Sequence, residues 1–415
     1  MSDNGLENVL ILQGGGSLGA FGCGVYKALA KNNINLDVIA GTSIGGVNAA
    51  IIAGSRKEER VDQLLEDFWL ELSEGFIDID KLSPFFAWNR YMKTFQIPSM
   101  LGNYSFNLPF FAAIGTGIKE TYLANGIQME TKLKQIKSFY SSIIFGNSKM
   151  FIPRWSPEYA LTDPEYFAPQ KWTFLYDHFP LAKTLERYID YDKLRPGGRS
   201  KARLILTAVN VLNARPLTFD SHKEQITAKH VLATSAYPSY NFPWVEVEDG
   251  VFAWDGSLLS NTPLREVITA TPVRDKRIFI VENYPKKIDS LPNNLPEVYH
   301  RARDIMFSDK TEHNVQMSKV ISRYLDYIEE LYKTIENNID KLQIEEKQLK
   351  RIRQKYKVYK QEHGAEIKEI YYVKRDEPNP HITENADFSP ETIKSAIKEG
   401  EEKTNEIIKN KKFEK

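Results

Sequence analysis

Val38-Ile-Ala-Gly-Thr-Ser-Ile-Gly-Gly-Val-Asn-Ala-Ala-Ile-Ile-Ala53 is the stretch from which the fold can be read. Val38–Ala40 is a short apolar run of the buried-strand type, and Gly45–Ala53 is a helix of small and apolar residues. Gly41-Thr42-Ser43-Ile44-Gly45 joins them with no room for a loop. A serine at such a turn is held in a strained backbone with its hydroxyl exposed. The flanking Gly41 and Gly45 let strand and helix approach closely. Taken alone, the pentapeptide also fits an ordinary glycine turn.

Upstream, Val9–Leu12 is a second apolar strand, and it runs into Gly14-Gly15-Gly16-Ser17-Leu18-Gly19. Phe21, Val25, Ala28 and Leu29 then recur at helical spacing. Two strand–helix units so early predict an α/β fold, a parallel-rich sheet covered by helices. Consecutive glycine amides at a helix start can hold a phosphate, or the oxyanion of a tetrahedral acyl intermediate. The dinucleotide version needs an acid at the carboxyl end of the second strand. Asp37 stands before Val38–Ala40, at the wrong end. An oxyanion loop needs a nucleophile on a neighbouring strand, and Ser43 supplies one.

Downstream the pattern changes character. From about Ser83 to Asp177, prolines, glycines and aromatics mix without steady periodicity, which predicts an insertion or cap. Leu181, Leu185, Tyr188 and Ile189 stripe a helix, Arg203–Val211 is a strand candidate with Pro216–Phe219 as its hairpin partner, and Arg277–Glu282 is another buried strand. After about Val298 long charged helices take over. Met317, Ile321, Tyr324, Ile328, Leu331 and Ile335 form a stripe suited to a coiled coil or helical hairpin. Ile367–Val373 resembles a late strand, and Asp387–Asn410 a terminal helix begun by Ser389 and Pro390.

A hydroxyl nucleophile needs a base. Trp254-Asp255-Gly256-Ser257 sets an aspartate on a tight turn with small residues after it. His300, His313, His363 and His381 lie in the charged C-terminal part, and His178, His222 and His230 have no special context. With no histidine singled out, Asp255 can accept the serine proton directly.

Gly14–Gly19, Gly41–Gly45 and Asp255-Gly256, followed by Asn261 and Pro263, together resemble the patatin-like phospholipase family. Ala233-Thr-Ser-Ala-Tyr-Pro238 and Phe242-Pro243 are similar to the family's segment ahead of its aspartate. Phe151-x-Pro153-Arg154, Tyr176-Asp-x-x-Pro180-Leu, Arg301-x-Arg303-Asp304 and Asp387-Phe-Ser resemble a bacterial subgroup with an extra C-terminal domain. The resemblance implies a patatin-like acyl hydrolase domain over 1–285, with the aromatic-rich insertion at about 83–177. Residues 286–415 would form a largely helical extension with a late strand and terminal helix. It further implies hydrolysis of lipid or phospholipid acyl esters, phospholipase A-like, without cofactor or metal. Ser43 would be the nucleophile, Asp255 the proton acceptor, and Gly14, Gly15, Gly16, Ser17 and Gly19 the oxyanion loop. Many members carry a basic residue where this chain has Leu18, and glycine or alanine where it has Ser257. A catalytically idle scaffold with an assembly or membrane-binding tail is the second reading.

Composition narrows the partners. The 415 residues hold 55 Lys+Arg against 55 Asp+Glu, so no global basic field attracts nucleic acid. Cys23 is the single cysteine, which excludes an intrachain disulfide and a cysteine-cluster metal site. The N-terminal stretch has no secretory pattern and no run reaches membrane-spanning length, so a cytoplasmic protein is expected. Lys347, Lys350, Arg351, Arg353, Lys355, Lys357 and Lys360 make one local basic block. It is either a solvated helix face or a peripheral contact to anionic lipid at the inner membrane surface. The C-terminal helices also offer a surface for homo-oligomers.

Overall fold

In the computed structural model, which describes residues 6–75, 138, 141–308, 311–363, 365–377 and 384–410, the two apolar runs lie side by side in a sheet. The named elements are β1 (Glu7–Leu12), α1 (Gly19–Lys31), β2 (Val38–Gly41), α2 (Ile44–Ala53), α3 (Val61–Glu74), β3 (Ile152–Pro153), β4 (Tyr176–Asp177), α4 (Phe179–Leu185), β5 (Arg203–Asn210) and β6 (Pro216–Asp220). They continue with α5 (Ala228–Ser235), β7 (Val245–Glu248), β8 (Val251–Asp255), α6 (Leu264–Ala270), β9 (Lys276–Glu282), α7 (Leu295–Phe307), α8 (Thr311–Asn337), α9 (Glu346–His363), β10 (Ile367–Lys374) and α10 (Pro390–Asn410).

The main sheet runs β10-β9-β1-β2-β5-β8-β7, with β6 also on β5. From β10 to β5 every pairing is parallel, whereas β6, β7 and β8 join antiparallel. The fold is therefore the expected α/β architecture, a mostly parallel sheet flanked by helices. The central strands are apolar throughout because both faces are covered. Leu10, Leu12 and Ile39 pack with Phe21, Ile51, Trp69 and Ile393 on one side. Their neighbours Val9, Ile11, Val38 and Ala40 pack with Leu264, Val267 and Val315 on the other.

Strand register creates the junction on which the site is built. Leu206 of β5 is opposite Gly41 on one edge and Phe219 on the other. Two residues on, Ala208 is opposite Leu217 of β6 and Asp255 of β8. Since β6 occupies one edge throughout, β2 and β8 share the other edge and meet end to end. The turn after Gly41 and the turn after Asp255 are thereby brought together.

Residues beyond 285 are woven into this architecture. The late strand is present as β10, which extends the sheet by pairing with β9. The terminal helix α10 lies on α1 with backbones in contact. A Cβ at Gly24 would fall 1.9 Å from the Ile397 carbonyl oxygen, and one at Gly400 would fall 2.1 Å from that of Phe21. Ser389 stands just ahead of α10, but its hydroxyl bonds the Thr392 side chain at 3.0 Å. The charged helices form a hairpin: Tyr332 of α8 stacks on Tyr356 of α9 with ring centroids 3.9 Å apart. Arg353 and Lys360 of the basic block are paired with Glu336 and Glu329 of α8. Much of the expected apolar stripe, including Met317, Ile321, Tyr324 and Leu331, remains exposed. Among the described residues, no helix is long and apolar enough to cross a membrane.

The aromatics from Phe85 to Phe111 lie outside the described residues. Those that follow pack on one another: Phe151 meets Tyr176 and Phe242 edge-on, and the Arg154 guanidinium lies over the rings of Trp172 and Phe174. This stretch, expected as an insertion or cap, contains the short antiparallel ribbon β3–β4. The ribbon is too short to show as a period-two pattern.

Candidate active site

Ser43 occupies the turn between β2 and α2 with φ 57° and ψ −134°, a conformation that costs a non-glycine residue about 1–3 kcal/mol. The surroundings hold it there. Its amide donates to the Thr234 carbonyl at 2.9 Å, and the amides of Gly46 and Val47 donate to its own carbonyl. Thr234 is fixed in turn by donating its hydroxyl to the Thr207 carbonyl at 2.7 Å. A Cβ at Gly45 would fall 2.2 Å from the Leu12 carbonyl oxygen, and one at Gly41 would fall 2.3 Å from that of Gly45. Only glycine permits this three-way backbone contact.

Asp255 ends β8 and is 1% exposed. Its amide donates to the Ala236 carbonyl at 3.0 Å, so Ala233–Pro238 anchors both Ser43 and Asp255. Oδ1 accepts the Ser257 amide at 2.8 Å, whereas Oδ2 meets no hydrogen-bond partner among the described residues. Burial pushes the carboxyl pKa up to about 6, with the Ser43 hydroxyl and Ser257 pulling in the opposite direction.

The glycine loop abuts the serine: a Cβ at Gly14 would lie 2.6 Å from that of Ser43. The Gly14 amide is committed to Asn261 Oδ1 at 2.9 Å, and the Gly19 amide to the carbonyls of Gly16 and Ser17. Among the described residues, no protein acceptor takes the amides of Gly15, Gly16 or Ser17. Asn283 donates to the Gln13 and Gly14 carbonyls at 3.1 Å each, and Gln13 donates to Thr262 at 2.8 Å. Ser43, Asp255 and Gly14–Gly16 line one cavity of about 20 Å³, walled by Tyr237, Tyr240, Tyr284 and Phe307. That is room for roughly one water.

The structure thus gathers Ser43, Asp255 and Gly14–Gly16 around one space, with Ser17 and Gly19 just behind. Leu18 packs with Tyr284 and Phe307. The Ser257 hydroxyl donates to Asn261 at 3.0 Å, so the larger residue is accommodated. None of His178, His230 and His300 lines the cavity, and neither do the described aromatics between Phe151 and Trp172. Thr234 and Asn283 carry no local sequence signal, because the roles of both come from contacts with segments far apart in the chain.

One cluster carries metal-ligand chemistry among the described residues: His300, Asp304, Glu377 and Glu384. Arg303 Nη2 occupies its centre, 2.7 Å from Glu384 Oε1 and 2.8 Å from both Asp304 Oδ1 and His300 Nε2. The donors thus already surround a cation, and they fit an arginine rather than a metal.

Gly16 provides a direct test of the loop. At φ 59° a side chain is strained, and a Cβ would lie 2.3 Å from the Asn385 carbonyl oxygen. Gly16→Val is expected to cost at least about 2 kcal/mol of stability from the left-handed backbone alone. Thermal unfolding measures it, and a melting temperature equal to wild type would contradict the loop geometry.

Residues 10–268, more than half of the chain, match the family described as patatin-like phospholipase. The triacylglycerol lipase SDP1L of Arabidopsis thaliana is 40% identical over 63 residues, covering 15% of this chain and 8% of that lipase. The match therefore spans less than a tenth of the relative's length. Among solved structures, VipD from Legionella pneumophila is similar over 99% of this chain and 68% of its own, at 14% identity and TM-score 0.36. ExoU of Pseudomonas aeruginosa, solved with SpcU, is similar over 74% of this chain and 50% of its own, at 16% identity and TM-score 0.22.

Proposed function

This chain belongs to the patatin-like phospholipase family, and we propose that it is a serine acyl hydrolase acting on lipid esters, phospholipase A-like, through a Ser43–Asp255 dyad. One observation carries the reading. A strained serine, an aspartate with an unpartnered oxygen and a run of unused amides line the same cavity.

Ser43 Oγ attacks the ester carbonyl while Asp255 Oδ2 takes its proton. The carbonyl π electrons move to oxygen, and the resulting oxyanion is met by the amides of Gly15, Gly16 and Ser17. Gly14 belongs to the loop, but its amide is spent on Asn261. Collapse of the intermediate expels the alkoxide, which recovers the proton from Asp255, leaving an acyl-serine. Water then repeats the sequence: Asp255 removes its proton, and the fatty acid departs as Ser43 is reprotonated. Oriented amides of this kind typically contribute two to three decades of rate, roughly 3–4 kcal/mol.

Family membership supports a lipid substrate. The basic face of α9 is where we assign contact with anionic lipid, through the cations of the block other than Arg353 and Lys360, which pair with α8. In this reading residues 1–285 are the hydrolase domain and residues 286–415 its C-terminal extension.

The test is a fluorophosphonate probe followed by hydrolysis of a lipid panel. Labelling at Ser43 and release of fatty acid are the expected results. An unlabelled protein that hydrolyses no lipid ester would favour the idle-scaffold reading.

A further inference from the structure

Resting on the acyl-hydrolase reading, the geometry points to Asn385 as a positioning residue that holds the oxyanion loop from behind, so that the C-terminal extension completes the active site. Glu384–Ala386 is a single turn lying directly on Gly14–Leu18, some 370 residues away in sequence. Asn385 is 8% exposed, and both ends of its carboxamide are used. Nδ2 donates to the Gly15 carbonyl at 2.9 Å and to the Tyr284 hydroxyl oxygen at 2.7 Å, while Oδ1 accepts from Arg303. A second tie runs from the Ser17 hydroxyl to the Glu384 carbonyl at 2.6 Å.

A trans peptide directs its C=O and N–H to opposite sides, and no peptide here is cis. Fixing the Gly15 carbonyl against Asn385 therefore turns the Gly16 amide to the other side of the loop. Gly16 also lines the cavity that holds Ser43. Left to itself, a peptide between two glycines rotates easily. Among the described residues, its one other hydrogen-bond restraint is the Leu18 amide, at 3.2 Å from the Gly15 carbonyl.

Asn385 is itself braced. Arg303 lies 2.7 Å from Glu384 Oε1, and Arg375 Nη2 lies 3.1 Å from both Glu377 Oε1 and Glu384 Oε1. This buried charge cluster, left without a catalytic task, ties the turn to α7 and to the segment just after β10. The extension thus reaches the chemistry through one carboxamide without touching the substrate.

The experiment compares full-length wild type, Asn385→Ala and Asn385→Asp with a soluble 4-nitrophenyl ester. A trifluoromethyl ketone, which forms a tetrahedral adduct on the serine, serves as inhibitor. Asp at 385 sets a carboxylate oxygen against the Gly15 carbonyl, so its loss should at least equal that of Ala. Both variants are expected to lower kcat by roughly 10- to 100-fold, less than or comparable to loss of a donor itself. KM should stay within about twofold, and ketone affinity should fall in parallel with kcat, because both depend on the oriented amide. Wild-type kcat and ketone affinity in folded variants, or a loss confined to KM, overturns the assignment. If both variants lose their circular dichroism, Tyr284→Phe takes their place. It deletes only the hydroxyl that fixes Asn385 Nδ2, and it must show the same parallel loss, on a smaller scale. Wild-type protein without Ser43-dependent turnover would remove the hydrolase reading itself; normal turnover with unaffected Asn385 variants would remove the positioning role alone.

Discussion

Ser43→Ala leaves a folded protein that neither hydrolyses esters nor reacts with a fluorophosphonate. Removing the nucleophile of a serine hydrolase costs on the order of 10⁴–10⁶ in kcat, since binding and the oxyanion donors remain but no acyl-enzyme can form. Stability separates this role from a structural one. Alanine keeps the strain of φ 57°, so its melting temperature should stay close to wild type. Glycine relaxes that strain, and Ser43→Gly should be inactive yet more stable by about 1 kcal/mol. An active Ser43→Ala, or a Ser43→Gly that melts below wild type, would contradict the strained-nucleophile assignment.

The second large effect belongs to Asp255, and its pH dependence has a definite sign. Burial raises the carboxyl pKa to about 6 from an ordinary 3.8. The folded protein therefore holds this proton more tightly than the unfolded chain does. The resulting stabilisation is complete below about pH 4 and is lost as pH rises through 6. At pH 8 the buried carboxylate costs about 3 kcal/mol, from a shift of roughly two units. Asp255→Asn removes that cost, so it should melt higher than wild type at pH 8 and gain nothing at pH 4. Activity moves the other way. The amide cannot take the serine proton, and kcat should drop by on the order of 10⁴. Wild-type kcat/KM should rise with pH to a plateau, with an apparent pKa of about 6. A profile flat from pH 5 to 8, or an Asp255→Asn variant less stable than wild type at pH 8, would refute the role.

Local patterns carried much of the architecture. Val9–Leu12 and Val38–Ala40 are apolar on successive residues, which only a strand covered on both faces tolerates, and both are central strands. The elbow at Ser43 was legible because Gly41 is demanded by a backbone contact four residues along the chain, with Gly45, whereas Gly45 answers to Leu12 of β1. The hairpin β5–β6, the strand β9 and the terminal helix were also visible in their own residues. The stripe on α8 was legible as a helix face but not as an exposed one, because periodicity reports spacing and not what covers it.

By itself, then, the sequence determined what short-range physics controls: the strand–turn–helix units, the α/β class, the glycine loop and the identity of Ser43 and Asp255 as candidates. Tertiary structure alone decided what depends on chain segments far apart. It set β8 antiparallel against β5, which brings Asp255 to the end of β2. It left Oδ2 of Asp255 without a partner among the described residues, and burial raised the carboxyl pKa. It spent the Gly14 amide on Asn261, and it laid Asn385 across Gly15. Nothing in the residues around 385 announces that last contact. A carboxamide hydrogen bond has no periodicity, and its partner is fixed only when β10 and α10 have packed onto the sheet and α1.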